Sequence, residues 1–383
     1  MHIGFLTPEY PHPDFSRSGG LGTSIKNLAV ALVKQSVEVT VFVTGQTQDR
    51  VFFENGVRLV CIAKKQHRLF SWYKERKRIQ NIIQKHIDTD GIQLIEAPDW
   101  TGLSAFMKFT VPLIIRMNGS DGYFCHLEGR QQKWKHRFLE RKALQNANVL
   151  VSASSFTGQV TKSLFGLKKE ITTIHNSIDT TVFVPLDEPI KPLQILYFGT
   201  LVRKKGVLEL PFIFNEVVKQ VPNAELVLIG KDNIDVFTQK STWSLFQEAL
   251  SPKAKQCVTH LKEVPYQAIK TYIAQAQVIV LPSFAEAFPM TWLETLAMEK
   301  PLVSSNIGWA KELMIDGKTG YIVDPKQHFV YASKVIDLLK DKELCRQLGE
   351  AGRKHMKHTF STTVVLPKNI SFYQKIINQR LTE

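Results

Sequence analysis

Short apolar runs alternate along the chain with longer amphipathic segments, and the alternation occurs in two successive blocks. Short apolar runs are typical of buried strands, and the longer amphipathic segments are typical of helices. In the first block the predicted strands are His2–Leu6, Val37–Val43, Gln93–Ala97, Leu113–Met117, Val149–Ala153 and Ile171–His175, and the predicted helices are Gly22–Gln35, Phe70–Ile87, Lys133–Gln145 and Ser155–Phe165. In the second block the predicted strands are Gln194–Phe198, Glu225–Ile229, Val258–Leu261, Val278–Leu281, Pro301–Ser304 and Gly320–Val323, and the helices between them include Val207–Lys219 and Tyr266–Ala274.

The two blocks are separated by Pro185–Pro192, where three prolines interrupt the pattern and indicate a linker. Strands that alternate with helices form parallel sheets covered by helices. We therefore predict an α/β fold with two Rossmann-like domains whose parallel sheets face a central cleft. The N-terminal domain is predicted at residues 1–185 and the C-terminal domain at 186–365, and residues 366–383 are predicted to form a helix that packs back on the N-terminal domain.

Length, composition and charge narrow the class of protein. A chain of 383 residues, with 44% hydrophobic and 22% charged residues, has the size and composition of a two-domain soluble protein. No stretch is long and apolar enough to span a bilayer, and the first residues lack the features of a signal peptide. The four cysteines form no CxxC pair, so we expect no zinc site, no disulfide framework and a cytoplasmic location. A net charge of +14 predicts an anionic partner, such as a nucleotide, an acidic membrane surface or a nucleic acid.

Two glutamates, Glu286 and Glu294, lie just after the predicted strand Val278–Leu281, and a helix is predicted from Trp292 to Met298. In open α/β sheets, ligands bind at the carboxyl ends of the strands. A helix N-terminus attracts anions because its free N–H groups point outward. The sequence therefore places carboxylates beside a backbone that is suited to phosphate.

Three glycine-containing loops also follow predicted strands. Glycine lets the backbone approach a phosphate without a Cβ in the way, and clustered cations suit a diphosphate. Taken singly, the first loop is equally compatible with a tight turn that caps a helix, a solvated charged loop is the favoured interpretation of the second, and the third is a weak signal. The loops are Ser18–Ser24 with Gly20 and Gly22, Tyr197–Gly206 with Gly199 and the cations Arg203–Lys205, and Leu228–Asp232 with Gly230 and Lys231.

The order and spacing of these segments resemble the GT-B glycosyltransferases, in particular the large retaining family 4 (group 1). The family's two glutamates separated by seven residues fall on Glu286 and Glu294, its lysine-glycine phosphate loop on Lys205-Gly206, and its N-terminal glycine loop on Gly19–Gly22. Three further family segments are similar to Asn176–Asp179, Pro301–Val303 and Gly308–Glu312. The resemblance covers nearly the whole chain and is strongest from residue 194 to 325.

The resemblance implies a retaining, metal-independent hexosyltransferase whose co-substrate is a UDP- or GDP-linked sugar and which needs no cofactor. Glu286 would contact the transferred sugar, orienting and stabilising it rather than acting as a nucleophile. Lys205 and Arg203 would neutralise the diphosphate as it departs, where negative charge builds up. Glu294 would bind the ribose, because a carboxylate offers two acceptors to a pair of hydroxyls. The other donor-binding residues implied are Gly20, Gly22, Gly199, Gly230, Lys231, Met290, Thr291 and, through backbone contact with the base, Val264.

This sequence departs from the family pattern at three positions. Thr200 stands where the family often has arginine. Asn118 stands where many relatives have histidine, so a hydrogen bond to the sugar or the transition state is expected there, but no proton transfer near neutral pH. Pro289 stands where glycine is common and has no N–H, so the amides of Met290 and Thr291 are expected to face the phosphate.

The N-terminal half is expected to hold the acceptor, a glycan or a lipid-linked sugar, in cell-surface polysaccharide or glycolipid synthesis. Glu96, Asp99 and Trp100 follow the strand Gln93–Ala97, and Asp121 follows Asn118. Carboxylates bind sugar hydroxyls, and a tryptophan stacks on sugar rings; for Trp100, a place in the core is equally compatible with the sequence.

Two stretches, Lys64–Arg78 and Arg130–Lys142, mix cations with aromatic residues. Such stretches bind anionic membranes or nucleic acids. The first also has the pattern of a helix with one apolar face on its own core, and for the helix itself this interpretation is favoured. We keep peripheral contact with the inner face of the cell membrane as a hypothesis and expect no nucleic-acid partner.

Two alternative functions stay open at this point. One is a sugar-nucleotide epimerase of the GT-B fold, and the other is a catalytically idle basic binding protein of the same fold. Release of a free nucleoside diphosphate from a sugar nucleotide distinguishes the transferase from both.

Overall fold

The computed structural model describes residues 1–15, 18–66 and 68–381. The chain forms two compact units, one made of Met1–Ser177 with the C-terminal segment from Thr362, and the other of Ile178–Ser361. His67, in the basic stretch Lys64–Arg78, lies outside the described residues. Across those described ranges, no helix combines the length and the apolar character needed to cross a bilayer.

The first unit is built on an eight-stranded sheet with the order β3-β4-β2-β1-β5-β6-β7-β8, in which only β3 is antiparallel to its neighbour. In the inner strands, neighbouring residues such as Phe5 and Leu6 belong to separate core clusters, as expected when side chains alternate between two faces. The elements in chain order are β1 (His2–Thr7), α1 (Gly20–Val33), β2 (Glu38–Gln46), β3 (Arg50–Glu54), β4 (Val57–Ala63), α2 (Ser71–Asp90), β5 (Leu94–Pro98), β6 (Leu113–Met117), α3 (Asp121–Leu127), α4 (Trp134–Asn146), β7 (Val149–Ser152), α5 (Ser155–Phe165) and β8 (Ile171–Thr173).

The strands β3 and β4 form a hairpin that was not predicted from the sequence. Its two-residue turn is Asn55-Gly56, with φ angles of 51° and 77°. Two successive positive φ values are typical of the type I′ turn, whose twist matches that of the flanking strands, and Asn-Gly is its preferred sequence. The signal was therefore present in the chain.

The second unit is built on a six-stranded, fully parallel sheet with the order β11-β10-β9-β12-β13-β14. Strands β9 and β12 are neighbours, so the loops that follow them start at the same edge. The elements are β9 (Gln194–Phe198), α6 (Leu210–Gln220), β10 (Glu225–Ile229), α7 (Thr242–Ala249), α8 (Pro252–Lys255), β11 (Val258–Leu261), α9 (Ile269–Gln275), β12 (Val278–Leu281), α10 (Met290–Ala297), β13 (Leu302–Ser305), α11 (Ala310–Leu313), β14 (Tyr321–Val323), α12 (His328–Lys340) and α13 (Lys342–His355). The prediction of an α/β chain with two Rossmann-like domains is confirmed.

The boundaries between the units differ from the predicted ones. The chain passes into the second unit after Ser177 rather than after residue 185, and it returns to the first unit at Thr362 rather than at residue 366. The proline-rich stretch lies within the second unit, where the Lys191 N–H donates to the Gln275 carbonyl at 2.8 Å. Prolines therefore mark an extended segment here, not the boundary.

The last helix, α14 (Thr362–Leu381), completes the first unit. Val365, Leu366, Tyr373 and Ile376 are buried in the same core cluster as side chains of α1, β1 and β2. The first unit is thus assembled from two separate stretches of sequence.

Candidate active site

Two loops of the second unit meet at the carboxyl edge of its sheet. One follows β9 and contains the 3-10 turn Arg203–Lys205, and the other connects β12 to α10. The backbone N–H groups of Phe284 and Ala285 both donate to the Lys204 carbonyl, at 2.8 and 3.1 Å. These bonds fix the lysine loop against the loop that carries Glu286.

Lys205 and Glu286 form an ion pair between the two loops. The Lys205 Nζ lies 3.1 Å from the Glu286 Oε1, and the side chains keep 23% and 16% of their surface exposed. Ser283 Oγ also donates to the Glu286 Oε1, at 3.4 Å. Behind the pair, burial and the negative charge of Glu286 raise the pKa of the Tyr197 hydroxyl well above its ordinary value. The pair therefore places one cation and one carboxylate side by side, both within reach of solvent.

Two glycines of this edge are required by close packing. A Cβ on Gly206 would lie 1.9 Å from the Pro282 carbonyl oxygen, and a Cβ on Gly230 would lie 1.9 Å from the carbonyl oxygen of Gly199. All three glycines have positive φ angles. Close packing of the backbone thus explains Gly230, and a φ of 140° explains Gly199, whereas Lys231 is exposed. Contact of these three residues with a donor stays a prediction.

Glu294 lies in α10, where it is only 3% exposed. Tyr266 Oη donates to its Oε1 at 2.5 Å. Burial raises the pKa of Glu294 to about 7, although the Tyr266 hydrogen bond and the charge of Lys205 act in the opposite direction. Tyr266 was not among the predicted site residues. It lies two residues after Val264, which was predicted to contact the base. Val264 is half-buried.

The helix α10 begins at Met290, two residues before the predicted start at Trp292. Pro289 is the residue before the helix, and Met290 and Thr291 are its first two residues. Pro289 has no N–H, so the free amides at this end belong to the residues that follow it. Met290 is buried and Thr291 is half-buried.

Arg203 is engaged by a residue that the sequence analysis missed. Its Nε and Nη2 donate to the two carboxylate oxygens of Asp235 at 2.7 and 2.9 Å. Thr238 donates to the same carboxylate through its N–H and its hydroxyl, at 2.9 and 2.8 Å. The Arg203 guanidinium holds the pKa of Asp235 well below its usual range. To bind a diphosphate, the Arg203 guanidinium would have to contact it in addition to the Asp235 carboxylate or in place of it.

The glycines at the start of α1 bind a carboxylate of the protein itself. Glu9 Oε1 accepts the N–H groups of Gly22 and Gly19, at 2.8 and 3.2 Å. A Cβ on Gly22 would clash with the Ser18 hydroxyl, at 2.0 Å, whereas Gly20 has open space around it. Gly22 was predicted to bind the donor, and its amide is bonded to Glu9 in this structure. No local pattern in the sequence indicated this partner.

The acceptor role predicted for Glu96 does not agree with its position. Glu96 is buried, and its carboxylate is bonded to Arg116 at 2.6 and 3.0 Å and to the Tyr373 hydroxyl at 2.8 Å. Arg116 Nη2 also donates to Asn369 Oδ1, at 2.8 Å. Glu96 therefore joins β5 and β6 to α14. Its predicted acceptor role did not take account of Tyr373, a partner that is distant in sequence.

The other predicted acceptor residues cluster after β5 and β6. Asp99 is fully buried and its Oδ1 accepts the Asn118 N–H at 3.1 Å, while burial and the nearby Glu140 raise the pKa of Asp99 to about 8. Trp100 is 36% exposed, with its ring edge-on to Phe124. The structure thus brings Asp99, Trp100 and Asn118 together, and their contact with substrates stays a prediction.

The carboxylate of Asp121 contacts two basic side chains of the first unit. Its Oδ2 lies 3.0 Å from His136 Nδ1, and its Oδ1 accepts from Arg130 Nη2 at 3.4 Å. Glu140, which is buried, accepts the N–H groups of Asp121 and Gly122 at the start of α3. Within the described part of the chain, no group of three or more His, Cys, Asp and Glu side chains is arranged to hold a metal ion.

Comparison with known proteins adds to this geometry. The profile described as glycosyl transferases group 1 matches residues 180–355, and the profile of glycosyltransferase family 4 matches residues 18–182. Among curated proteins, the glycogen synthase of Mycobacterium tuberculosis is 24% identical over 408 residues, covering 97% of this chain and 94% of its own length.

Solved structures show the same fold. The sucrose-phosphate synthase from Thermosynechococcus elongatus superposes with a TM-score of 0.81 at 20% identity, over 99% of both chains. The Anabaena protein HepE, solved in complex with UDP-glucose, superposes with a TM-score of 0.72 at 14% identity, over 100% of both chains. The chain has the GT-B architecture and belongs to the group 1 glycosyltransferases of family 4.

Proposed function

We propose that this protein is a retaining, metal-independent hexosyltransferase that takes a hexosyl residue from a UDP- or GDP-linked sugar. The observation that carries the proposal is the Lys205–Glu286 pair, which joins a cation to a carboxylate at the carboxyl edge of β9 and β12. Related proteins support the choice of donor, since HepE was solved with UDP-glucose. The acceptor we propose is a glycan or a lipid-linked sugar, in the synthesis of a polysaccharide or glycolipid.

Each residue of the site has a proposed part in the transfer. The bond between the anomeric carbon and the diphosphate breaks, and Lys205 and the amides of Met290 and Thr291 stabilise the charge on the departing phosphate. The acceptor hydroxyl forms the new bond on the same face and gives its proton to that phosphate. Glu286 holds hydroxyls of the sugar, and Glu294 binds the ribose at the place that the Tyr266 hydroxyl occupies.

The first test is to incubate the protein with UDP-, GDP- and ADP-sugars and to measure nucleoside diphosphate release together with the unfolding temperature. A true donor raises the unfolding temperature by mass action. An altered sugar nucleotide without release would show an epimerase, and the absence of both release and alteration with every donor would show a binding protein.

The second test uses Glu286→Gln and Lys205→Ala, with Lys240→Ala as an exposed lysine control in the same unit. We expect each of the first two variants to lose about 100-fold or more in kcat, because each removes a group that acts on the transition state. The control should keep the wild-type rate. A covalent sugar adduct trapped on Glu286 would contradict the proposed mechanism.

A further inference from the structure

Five large apolar side chains of the first unit are exposed around the starts of α2 and α4. The exposed fraction runs from 39% for Tyr73 to 79% for Trp134. We call them the aromatic surface, which consists of Leu69, Phe70, Tyr73, Trp134 and Phe138. Burial in the core does not explain them, because α2 already packs Ile79, Ile83 and Ile87 into the core through its later turns.

These side chains lie on one continuous surface. Phe106 connects the two helices, since its ring centroid is 5.7 Å from that of Tyr73 and 5.9 Å from that of Phe138. Trp134 precedes Phe138 by four residues on α4, so both side chains project from the same face of that helix. Leu69 and Phe70 immediately precede α2 and extend the surface beyond Tyr73.

Phe70 is held outside by an unusual backbone. Its φ and ψ angles are 52° and 38°, in the left-handed region that a bulky residue rarely adopts. A strained residue of this kind persists where the surrounding structure imposes it, and it often marks a functional position. At Phe70, it fixes a 70% exposed aromatic ring just before a helix.

The surface is surrounded by positive charge. Its exposed cations are Arg68, Lys74, Lys133, Lys135, Arg137 and Arg141. The acidic groups nearest to it in sequence are neutralised or hidden, whereas Asp88, near the end of α2, is exposed. Glu75 is paired with Arg78 and Glu128 with Arg130, while Glu140 is fully buried and bonded to backbone N–H groups.

We propose that the aromatic surface docks this protein on an anionic lipid bilayer. Aromatic side chains are favoured at the boundary between headgroups and acyl chains, and neighbouring lysines and arginines are attracted to anionic lipids. A soluble polyanion would be bound by the cations, but it offers no apolar phase for Leu69 and Phe70. The inference rests on the first unit alone and stands whether or not the transfer reaction is confirmed.

The test is co-sedimentation of the full-length protein with vesicles of phosphatidylcholine alone and of phosphatidylcholine mixed with phosphatidylglycerol. We expect binding to the mixed vesicles that weakens as salt is added. The double variant Phe70→Ser with Trp134→Ser should lower the partition coefficient by about tenfold or more. Phe329→Ser, at a 73% exposed phenylalanine on α12 of the second unit, is the matched control and should bind like the wild type.

Charge is tested in the same assay. Replacing Lys133 and Lys135 by glutamine should weaken binding, whereas replacing Lys253 and Lys255, two exposed lysines of α8, should not. Equal binding to both kinds of vesicle, or no binding to either, would overturn the proposal. So would binding that depends on the lysines but not on Phe70 and Trp134, which would indicate a soluble polyanion. Unchanged unfolding temperatures of the variants exclude misfolding.

Discussion

The fold places the carboxylate of Glu294 at a position with very little access to solvent. The side chain is buried within α10, and its pKa is raised from 4.5 to about 7 by burial. A raised pKa in the folded state means that the neutral form is the one that the fold favours. The contribution of neutral Glu294 to the free energy of unfolding is therefore fully present below about pH 4.5, and it is lost as the pH rises through about 7.

Because stability falls as Glu294 ionises, its replacement by a neutral residue should change the pH dependence. Glu294→Gln keeps the shape of the side chain and an acceptor for Tyr266, but it does not ionise. The difference in unfolding free energy between variant and wild type should shift in favour of the variant between pH 5 and pH 9, by on the order of 3 kcal/mol at most. Urea denaturation at both pH values measures it. Glu225→Gln, which replaces an exposed acid of the same unit, should show no comparable shift. If the unfolding free energies of Glu294→Gln and the wild type differ by the same amount at both pH values, the prediction is contradicted.

At single residues, the sequence could predict positions but not long-range partners. The common edge of Lys205 and Glu286 was predicted because each follows a recognisable strand, and parallel strands bring their carboxyl ends to one edge, whereas their roles were implied by the family resemblance. The role of Glu96 was predicted wrongly because its partner Tyr373 lies at the other end of the chain. Tyr266 and Glu9 were missed for a related reason: a side chain bonded across a loop leaves no periodic pattern in the sequence.

At the scale of elements, the segment between β10 and α7 supports the lysine loop. Asp235 is fully buried, and its two hydrogen bonds with Arg203 join this segment to the turn that carries Lys205. Bidentate pairs between arginine and a carboxylate are among the stronger hydrogen-bonded contacts in proteins, and their geometry is fixed. Arg203 thus has a structural part, whether or not it also contacts a diphosphate.

A double-mutant cycle with Arg203→Ala and Asp235→Ala tests this support. We expect a coupling free energy of about 1–3 kcal/mol, because each single variant leaves its charged partner without its bidentate bonds. The exposed pair Lys219–Glu216 on α6 is the control and should couple by less than about 1 kcal/mol. Urea denaturation gives both values, and equal coupling in the two pairs would refute a supporting role for Asp235.

Elements were predicted well where the hydrophobic pattern was continuous, and less well at turns and boundaries. The strands β9, β10, β11 and β12 have the predicted bounds. The hairpin β3–β4 was missed although Asn55-Gly56 indicates its turn. The proline-rich stretch was taken as the boundary because prolines are frequent in linkers, yet here they suit an extended segment packed on the second unit.

At the scale of the whole molecule, the two units differ in how they use the chain. The second unit is one continuous stretch, Ile178–Ser361, whereas the first needs α14 from the far end of the sequence. Without α14, the buried Arg116 loses Asn369 and Tyr373, and the apolar side chains of α1 lose the contacts of Val365, Leu366 and Ile376. Removal of partners from a buried charge and exposure of a core face both destabilise strongly.

We therefore predict opposite behaviour for two fragments. Residues 178–361 should unfold cooperatively and should be stabilised by the nucleotide of the true donor, because Lys205, Glu286 and Glu294 all lie within them. Residues 1–177 should show no cooperative transition, and co-expression with residues 362–383 should restore one because α14 again covers the core. Calorimetry of the purified fragments measures both outcomes. A cooperative transition of residues 1–177 alone would show that α14 is dispensable for the first unit, and failure of 178–361 to fold would show that the second unit depends on the first.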